Sequence, residues 1–565
     1  MKRTLAIVVP ILILTATAWY FCLYASPLEI SPETTYITAP LMSDGKRIDY
    51  FRAWEERAYP PEMKTDDNGY RILVRAIGDL STYSAFGRNI LTQRDLDPEP
   101  FRVQVYEKLG LDPTTPPTLK LESAWTFLER YLNERPEEAR QMRQRLGRPW
   151  TFEDLPMLED WLAENEAGID LLSEAVRKPV FFAPMVRKSE DEPLVTRGAG
   201  NAFREFARAL QARAMYHIGV GDINGAIDDV ITIHLLARHA GKHGALVDCL
   251  LGIAFEGAAF SIPIGGNLLA PPSREQLQRL FDTIRSLPPL PALEDLVIAE
   301  RLFALATLQE YAFGRNVEVF GLPRPGFWSF GVDWNFVFRE VNDAFNALIA
   351  GEEIAEPVSM VDGEGMLFGR EPRLPVRLTV RGRTEVARDV FISLFFFPTV
   401  EAVREQERRR QCVENMKLLT LALLLYEKDH GTLPDGDWRE AIRPYLGENA
   451  DKYFRCPSHP GLAEDETTYA MIRRESGVTP NTPHTLSLVE VFPPMKMTGN
   501  DGTILESQAI INRTDDWRQP TEGLSSHHPG GFNVSYRSGA IAIVSDSVST
   551  DKLQSLIDGT ADAPP

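Results

Sequence analysis

From Glu401 to His430 the chain runs without a glycine or a proline, and Leu418-Leu-Thr-Leu-Ala-Leu-Leu-Leu425 makes the second half of that run strongly apolar. Such a run predicts one long helix, ended by Gly431 and Pro434. The pattern then turns strand-like. Thr468 to Arg473, Thr485 to Phe492 and the alternating stretch from Phe532 to Val544 read as strands, with Ser538-Gly539 placed to turn a hairpin and Gly539 free to take positive φ. The expected product is a long helix packed on a small antiparallel sheet, an α+β arrangement.

Several short motifs punctuate this region in order: Cys412-Val-Glu-Asn415, His430-Gly-Thr-Leu-Pro434, Cys456-Pro-Ser, Asp501-Gly-Thr-Ile-Leu-Glu506, Trp517-Arg-Gln-Pro520 and Ser526-His-His-Pro-Gly-Gly531. In kind and order they resemble a bacterial family of exported, pilin-like proteins of unknown function, related to the pseudopilins of type II secretion. Asn415, His430, Pro434, Glu506, Trp517, Pro520, His528, Gly530, Gly531 and Gly539 carry the resemblance. The family signature of His, nine residues and Asp-Gly stands here as His528 followed by Ser538-Gly539, so serine replaces the aspartate. The resemblance implies a pilin-like module over 385–565. As in a pilin, an apolar run (Val390 to Phe397) and a proline precede the charged start of the long helix. That run is far shorter than the twenty or so residues a span requires. It is expected to lie against the preceding part of the chain, which replaces the lipid and neighbouring subunits a pilin would use. Arg408 to Arg410 reads as a solvated helix face, as do the pairs Glu405/Glu407 and Asp228/Asp229.

At the other end, Met1-Lys2-Arg3 precedes an apolar run from Leu5 to Ala25. Residues 1–26 read as a signal anchor, oriented by the positive-inside rule with the rest of the chain outside the cytoplasmic membrane. Ala16-Thr-Ala18 leaves a cleaved signal peptide as the alternative. Residues 27–48 read as a proline-punctuated linker. A helical domain is expected over 49–313, because apolar positions such as Phe203, Phe206, Leu210, Ala214 and Ile218, then Ala226, Val230, Ile233 and Leu236, keep helical period on either side of Gly219-Val-Gly-Asp222. That pair is a helical hairpin, with a turn like that of a tetratricopeptide-type pair. Ser273-Arg-Glu-Gln276 has capping-box spacing. Residues 314–384 are expected to be an irregular, aromatic-rich connection with one helix near Asn335 to Ala350.

The chain carries 60 basic and 80 acidic residues, a net charge of −20, which removes the attraction that dominates nucleic-acid binding. Four cysteines are few for such a length. Cys22 falls in the anchor and Cys249 reads as a buried thiol, leaving Cys412 and Cys456 either as a disulfide, expected in an oxidising compartment, or as two free thiols. His459, His527 and His528, with Cys456, are the metal candidates. They lack zinc-type spacing, so structural roles are expected and no cofactor is predicted. Asp501, Asp515, Asp516 and Asp546 could contribute to a calcium site, without the spacing of a calcium loop. No G-x-S-x-G or H-E-x-x-H occurs. The expectation is therefore a non-catalytic, membrane-anchored protein that presents a binding or assembly surface to an envelope protein partner. An envelope-polymer hydrolase would instead gather a carboxylate pair or a Ser/His couple in a cleft, and a solute-binding module would line a pocket with aromatics between Phe320 and Phe336.

Overall fold

The computed structural model describes residues 27–59, 66–78, 99–132, 135–187, 195–196, 199–242, 246–265, 270–291, 293–315, 331–350, 379–396, 399–459, 461–463, 465–473, 482, 484–496, 503–505 and 523–558. They form a mainly helical body with a small mixed sheet. Among them no helix is long and apolar enough to cross a membrane. The predicted anchor, residues 1–26, lies outside them.

The helical hairpin forms as its periodicity predicts. Ala199–Val220 and Ile223–Gly241 are joined at Gly221, whose φ is +83°, and the Asp222 side chain accepts from Gly225 N–H to cap the second helix. The capping box at Ser273 and Gln276 is complete and opens Arg274–Ser286. Leu293–Ala312 and Trp334–Ala350 also appear where expected. Packed with Val380–Phe396, they enclose a core that includes Val337, Phe338, Val341, Val390 and Phe391. The front of the Val390 to Phe397 run is thus buried among helices, with Phe391 edge-on to Tyr311 and Trp334. The side chains beyond Ile392 lie outside the described residues.

Residues 27–48 depart from the expected free linker. The Asn335 side chain accepts from Glu29 N–H and donates to the Pro27 carbonyl, Asn342 donates to the Thr34 carbonyl, and Gln309 pairs with both backbone groups of Ile48. Buried backbone groups need partners, and three side-chain amides of the helical body supply them. Proline content alone does not distinguish a docked extended segment from a free one.

The long helix, Thr399–His430, is the spine of the C-terminal part. Every residue from Met416 to Leu425 is buried. A helix apolar on all sides needs neighbours on all sides. Here Leu246–Ser261 and Arg274–Ser286 cover one flank, and Trp438–Leu446 with the sheet covers the other. Phe260, Leu280, Phe281, Leu419, Leu423, Trp438, Tyr469 and Leu488 consequently share one core.

Besides a two-stranded ribbon, β1 (Val186–Arg187) and β2 (Val195–Thr196), the strands are β3 (Glu466–Arg473), β4 (Leu486–Lys496), β5 (Thr503–Leu505), β6 (Gly523–Leu524), β7 (Gly531–Tyr536) and β8 (Ile541–Ser545). The main sheet has the order β5-β3-β4-β7-β8, with β6 paired to β4. The expectation of a purely antiparallel sheet fails at one edge. β5 runs opposite to β4 but pairs on the far side of β3, which makes it parallel to β3. The other sheet face is covered by a C-terminal helix, Thr550–Ile557, through Leu553, Leu556 and Ile557. This helix was not expected, although Ser549 as N-cap and that apolar spacing announce it.

The hairpin turn docks onto the helical body. Gly539 has φ +79°, and a Cβ there would stand 2.6 Å from the Ile264 carbonyl oxygen, while a Cβ on Gly265 would collide with the Ser538 carbonyl. The amine of Lys417 completes the contact, its Nζ donating to the Gly539 carbonyl at 2.5 Å.

Candidate functional site

Four elements deliver four metal-capable side chains to one buried point: Cys412 from the long helix, Cys456 from the segment that follows it, Glu490 from β4 and His528 from the loop entering β7. One ligand atom from each lies within 4.8 Å of all the others, and all four residues are buried. Glu490 gets there by strand alternation. It shares a face with Leu488, which packs in the core of the long helix, so its carboxylate is turned beneath that helix.

Cys412 and Cys456 are free thiols. Cys412 donates to Glu490 Oε1 at 2.7 Å and is met by Tyr469 Oη at 3.0 Å and Asn533 Nδ2 at 3.3 Å. His528 Nε2 lies 3.4 Å from Cys456 Sγ and 3.4 Å from Glu490 Oε1. Its other nitrogen, Nδ1, pairs with Glu405 Oε1 at 2.6 Å. Glu490 Oε2 accepts from Asn533 N–H at 2.6 Å. Arg409 donates to the carbonyls of Pro529 and Gly531 and so fixes the loop that carries His528.

The electrostatics follow from burial opposed by pairing. Burial disfavours charge on His528, yet the Glu490 carboxylate and hydrogen bonds to Cys456, Glu405 and Glu490 outweigh it and push the imidazole up to about 11. Burial raises Glu490 and Glu405, but in both His528 prevails and the carboxyls are held below their ordinary range. The neighbouring Cys412 lowers the Cys456 thiol against burial, while burial, the neighbouring Cys456 and the Glu490 carboxylate raise Cys412.

Part of this centre falls in a recognisable family segment. Residues 401–450 match the model of a protein family of unknown function, DUF1559. No curated protein and no solved structure matches the chain. The DUF1559 segment contains Glu405 and Cys412 and ends before Cys456, Glu490 and His528.

The other sequence-predicted residues are placed around this centre or away from it. His459 and His527 pile with Phe492 at ring-centroid distances of 4.7–6.1 Å, beside the cluster and not in it. Asn415 donates to the Arg455 carbonyl, tying the long helix to the segment carrying Cys456. His430 stacks on Tyr426 at the helix end, 4.0 Å between centroids, and Pro434 is buried just after it. Gly530 has φ +77°, and Gly531 lies so close to β8 that a Cβ would collide with the Val544 carbonyl oxygen. Glu506, Trp517 and Pro520 lie outside the described residues, as do Asp501, Asp515 and Asp516 of the calcium expectation and the aromatics from Phe320 to Phe330.

Four charged positions read as solvated are buried. Glu405 is only 3% exposed because it faces His528, and Asp229 is 1% exposed because it pairs with Arg213. Arg409 and Arg410 are also buried. Arg409 holds the loop carbonyls, and Arg410 lies between Glu407 and Glu414. Charge patterning identifies a helix face but does not say which face water reaches.

A Ser/His couple does occur, Ser458 Oγ lying 3.3 Å from His528 Nδ1. It is a poor nucleophile pair. In a triad the histidine stands between serine and carboxylate and uses a different nitrogen for each, whereas Ser458 and Glu405 approach the same Nδ1, and Ser458 donates to that carboxylate at 3.0 Å. Glu405 and Glu490 stand on either side of the buried His528 ring, each carboxylate facing one of its two nitrogens.

Proposed function

We propose that this chain is a membrane-tethered, extracytoplasmic, non-catalytic protein whose pilin-like C-terminal module is held rigidly on a helical body and presents a binding surface in the cell envelope. One observation carries the reading most of the way: the apolar stretch Leu418–Leu425 of the long helix is buried on all sides within its own chain. A pilin-like helix that polymerises needs apolar surface left for neighbouring subunits. Here Phe260, Leu280 and Phe281 fill that place. The apolar run after Met1-Lys2-Arg3 supports tethering, and the shared Nδ1 contact of Ser458 and Glu405 argues against hydrolysis. The partner is an envelope protein, approached by a strongly acidic surface.

The test is a pair of fusions after Ile557 in a bacterial host, one to a phosphatase active only outside the cytoplasm and one to a fluorescent protein that matures only inside it, with sedimentation of the solubilised chain. Active phosphatase, a dark fluorescent fusion and particles of discrete size support the reading. Cytoplasmic fluorescence or filaments overturn it.

A further inference from the structure

We propose that Cys412, Cys456, Glu490 and His528 form a closed, structural zinc site that fastens the long helix to the sheet and to the loop entering β7.

The donor set is chemically selective. Two sulfurs, one imidazole nitrogen and one carboxylate oxygen suit zinc, whereas calcium and magnesium require oxygen ligands. The dimensions also fit. Zinc bonds of about 2.3 Å to sulfur and about 2.0–2.1 Å to nitrogen and oxygen give a tetrahedron with edges of about 3.4–3.8 Å. The Cys456 Sγ to His528 Nε2 and His528 Nε2 to Glu490 Oε1 distances are both 3.4 Å. The 2.7 Å contact of Cys412 Sγ with Glu490 Oε1 is a thiol–carboxylate hydrogen bond, which zinc would replace by opening that edge by about 1 Å.

The surroundings are those of a ligand set held in place. A zinc-bound histidine commonly gives its second nitrogen to a carboxylate, which fixes the tautomer and the ring plane. His528 does this with Glu405, which Ser458 and Arg408 secure in turn. Tyr469 and Asn533 direct polar groups at Cys412 Sγ, and Asn533 N–H holds the oxygen of Glu490 that faces away from Cys412. Two thiolates and a carboxylate leave a zinc centre with one net negative charge, and the buried Arg409 lies alongside to balance it. Four buried protein donors complete the coordination and leave no position for substrate, so the site is structural. A Cys412–Cys456 disulfide would consume both sulfurs, and the two states exclude each other.

The experiment uses the full chain, purified in detergent with a thiol reductant, saturated with zinc and passed over a weak chelating resin. Bound metal is measured by elemental analysis and native mass spectrometry. One zinc per chain is expected, and cobalt in its place should give the absorption of a tetrahedral, thiolate-bound ion. Cys456→Ser should abolish retention. Glu405→Gln, which touches no metal and preserves side-chain volume, should stay folded by circular dichroism and weaken zinc by about 10–100-fold. Zinc well below one per chain, retention unchanged in Cys456→Ser and His528→Gln, or a chain lighter by two hydrogens with Cys412 and Cys456 joined under these conditions would overturn the proposal. Preferential retention of copper or iron over zinc would overturn the assignment of the ion.

Discussion

His528 Nδ1 lies 2.6 Å from Glu405 Oε1, which joins the loop entering β7 to the first third of the long helix in a contact nearly closed to water. Removing Glu405 leaves the buried His528 imidazole with Glu490, 3.4 Å from its other nitrogen, as its remaining carboxylate, and an unfilled buried position at Nδ1. Glu405→Ala should therefore lower unfolding free energy by about 3–5 kcal/mol. Glu405→Gln, which keeps an acceptor, should cost about 1–3 kcal/mol. Urea unfolding of the two variants under metal-free conditions checks both values.

Asp228 and Asp229 are neighbours in sequence with opposite surroundings. Asp228 is half-exposed and pairs with Arg279, whereas Asp229 is buried and receives the Arg213 guanidinium at 2.7 Å. Asp228→Ala should change stability by no more than about 1 kcal/mol. Asp229→Ala should cost about 3–5 kcal/mol, because Arg213 stays buried with only the exposed Asp170 to pair with. Equal losses in the two variants would contradict this placement.

These two positions show what the sequence could and could not disclose. Hydrophobic period located the hairpin from Ala199 to Gly241, the long helix and the hairpin turned at Ser538-Gly539, since period is a local property of the chain. Which flank of a helix meets water is set by non-local packing, so Glu405, Asp229 and Arg409 read as solvated. The buried centre was half visible. Cys412, Cys456 and His528 stood out as chemistry-bearing residues, but they come from separate elements and show no ligand spacing. Glu490 was overlooked, although a carboxylate in the strand Leu486-Ser-Leu-Val-Glu-Val491 occupies a core-facing position and calls for a partner.

Lys417 should make stability depend on pH. Burial lowers its amine to about 7, from an unperturbed value of 10.5. Between those values the unfolded chain binds a proton that the folded chain does not, so stability rises with pH across that window and is flat in this group below it. The slope should approach about 1 kcal/mol per pH unit. Lys417→Met should lose this contribution, as urea unfolding at pH 7 and pH 9 will show by comparison with the parent chain.

Gly539→Ala should loosen the seam between the hairpin and the helical body. The new methyl would meet the Ile264 carbonyl oxygen at 2.6 Å on a backbone with φ +79°. Strain and overpacking together should cost about 2–4 kcal/mol. Gly265→Ala, facing the same turn from the other side, should act in the same direction. The two losses should not add, because both report on one contact. Thermal unfolding of the single and double variants measures this.

The long helix has its apolar surface filled within its own chain, so the sheet module and the helical body should open together. Hydrogen exchange at the amides of Leu418 to Leu425 tests this most directly. These amides should exchange only through global unfolding, with the same free energy as the core amides of Ile223–Gly241. Exchange of Leu418 to Leu425 through a cheaper opening, while Ile223–Gly241 stays protected, would contradict it.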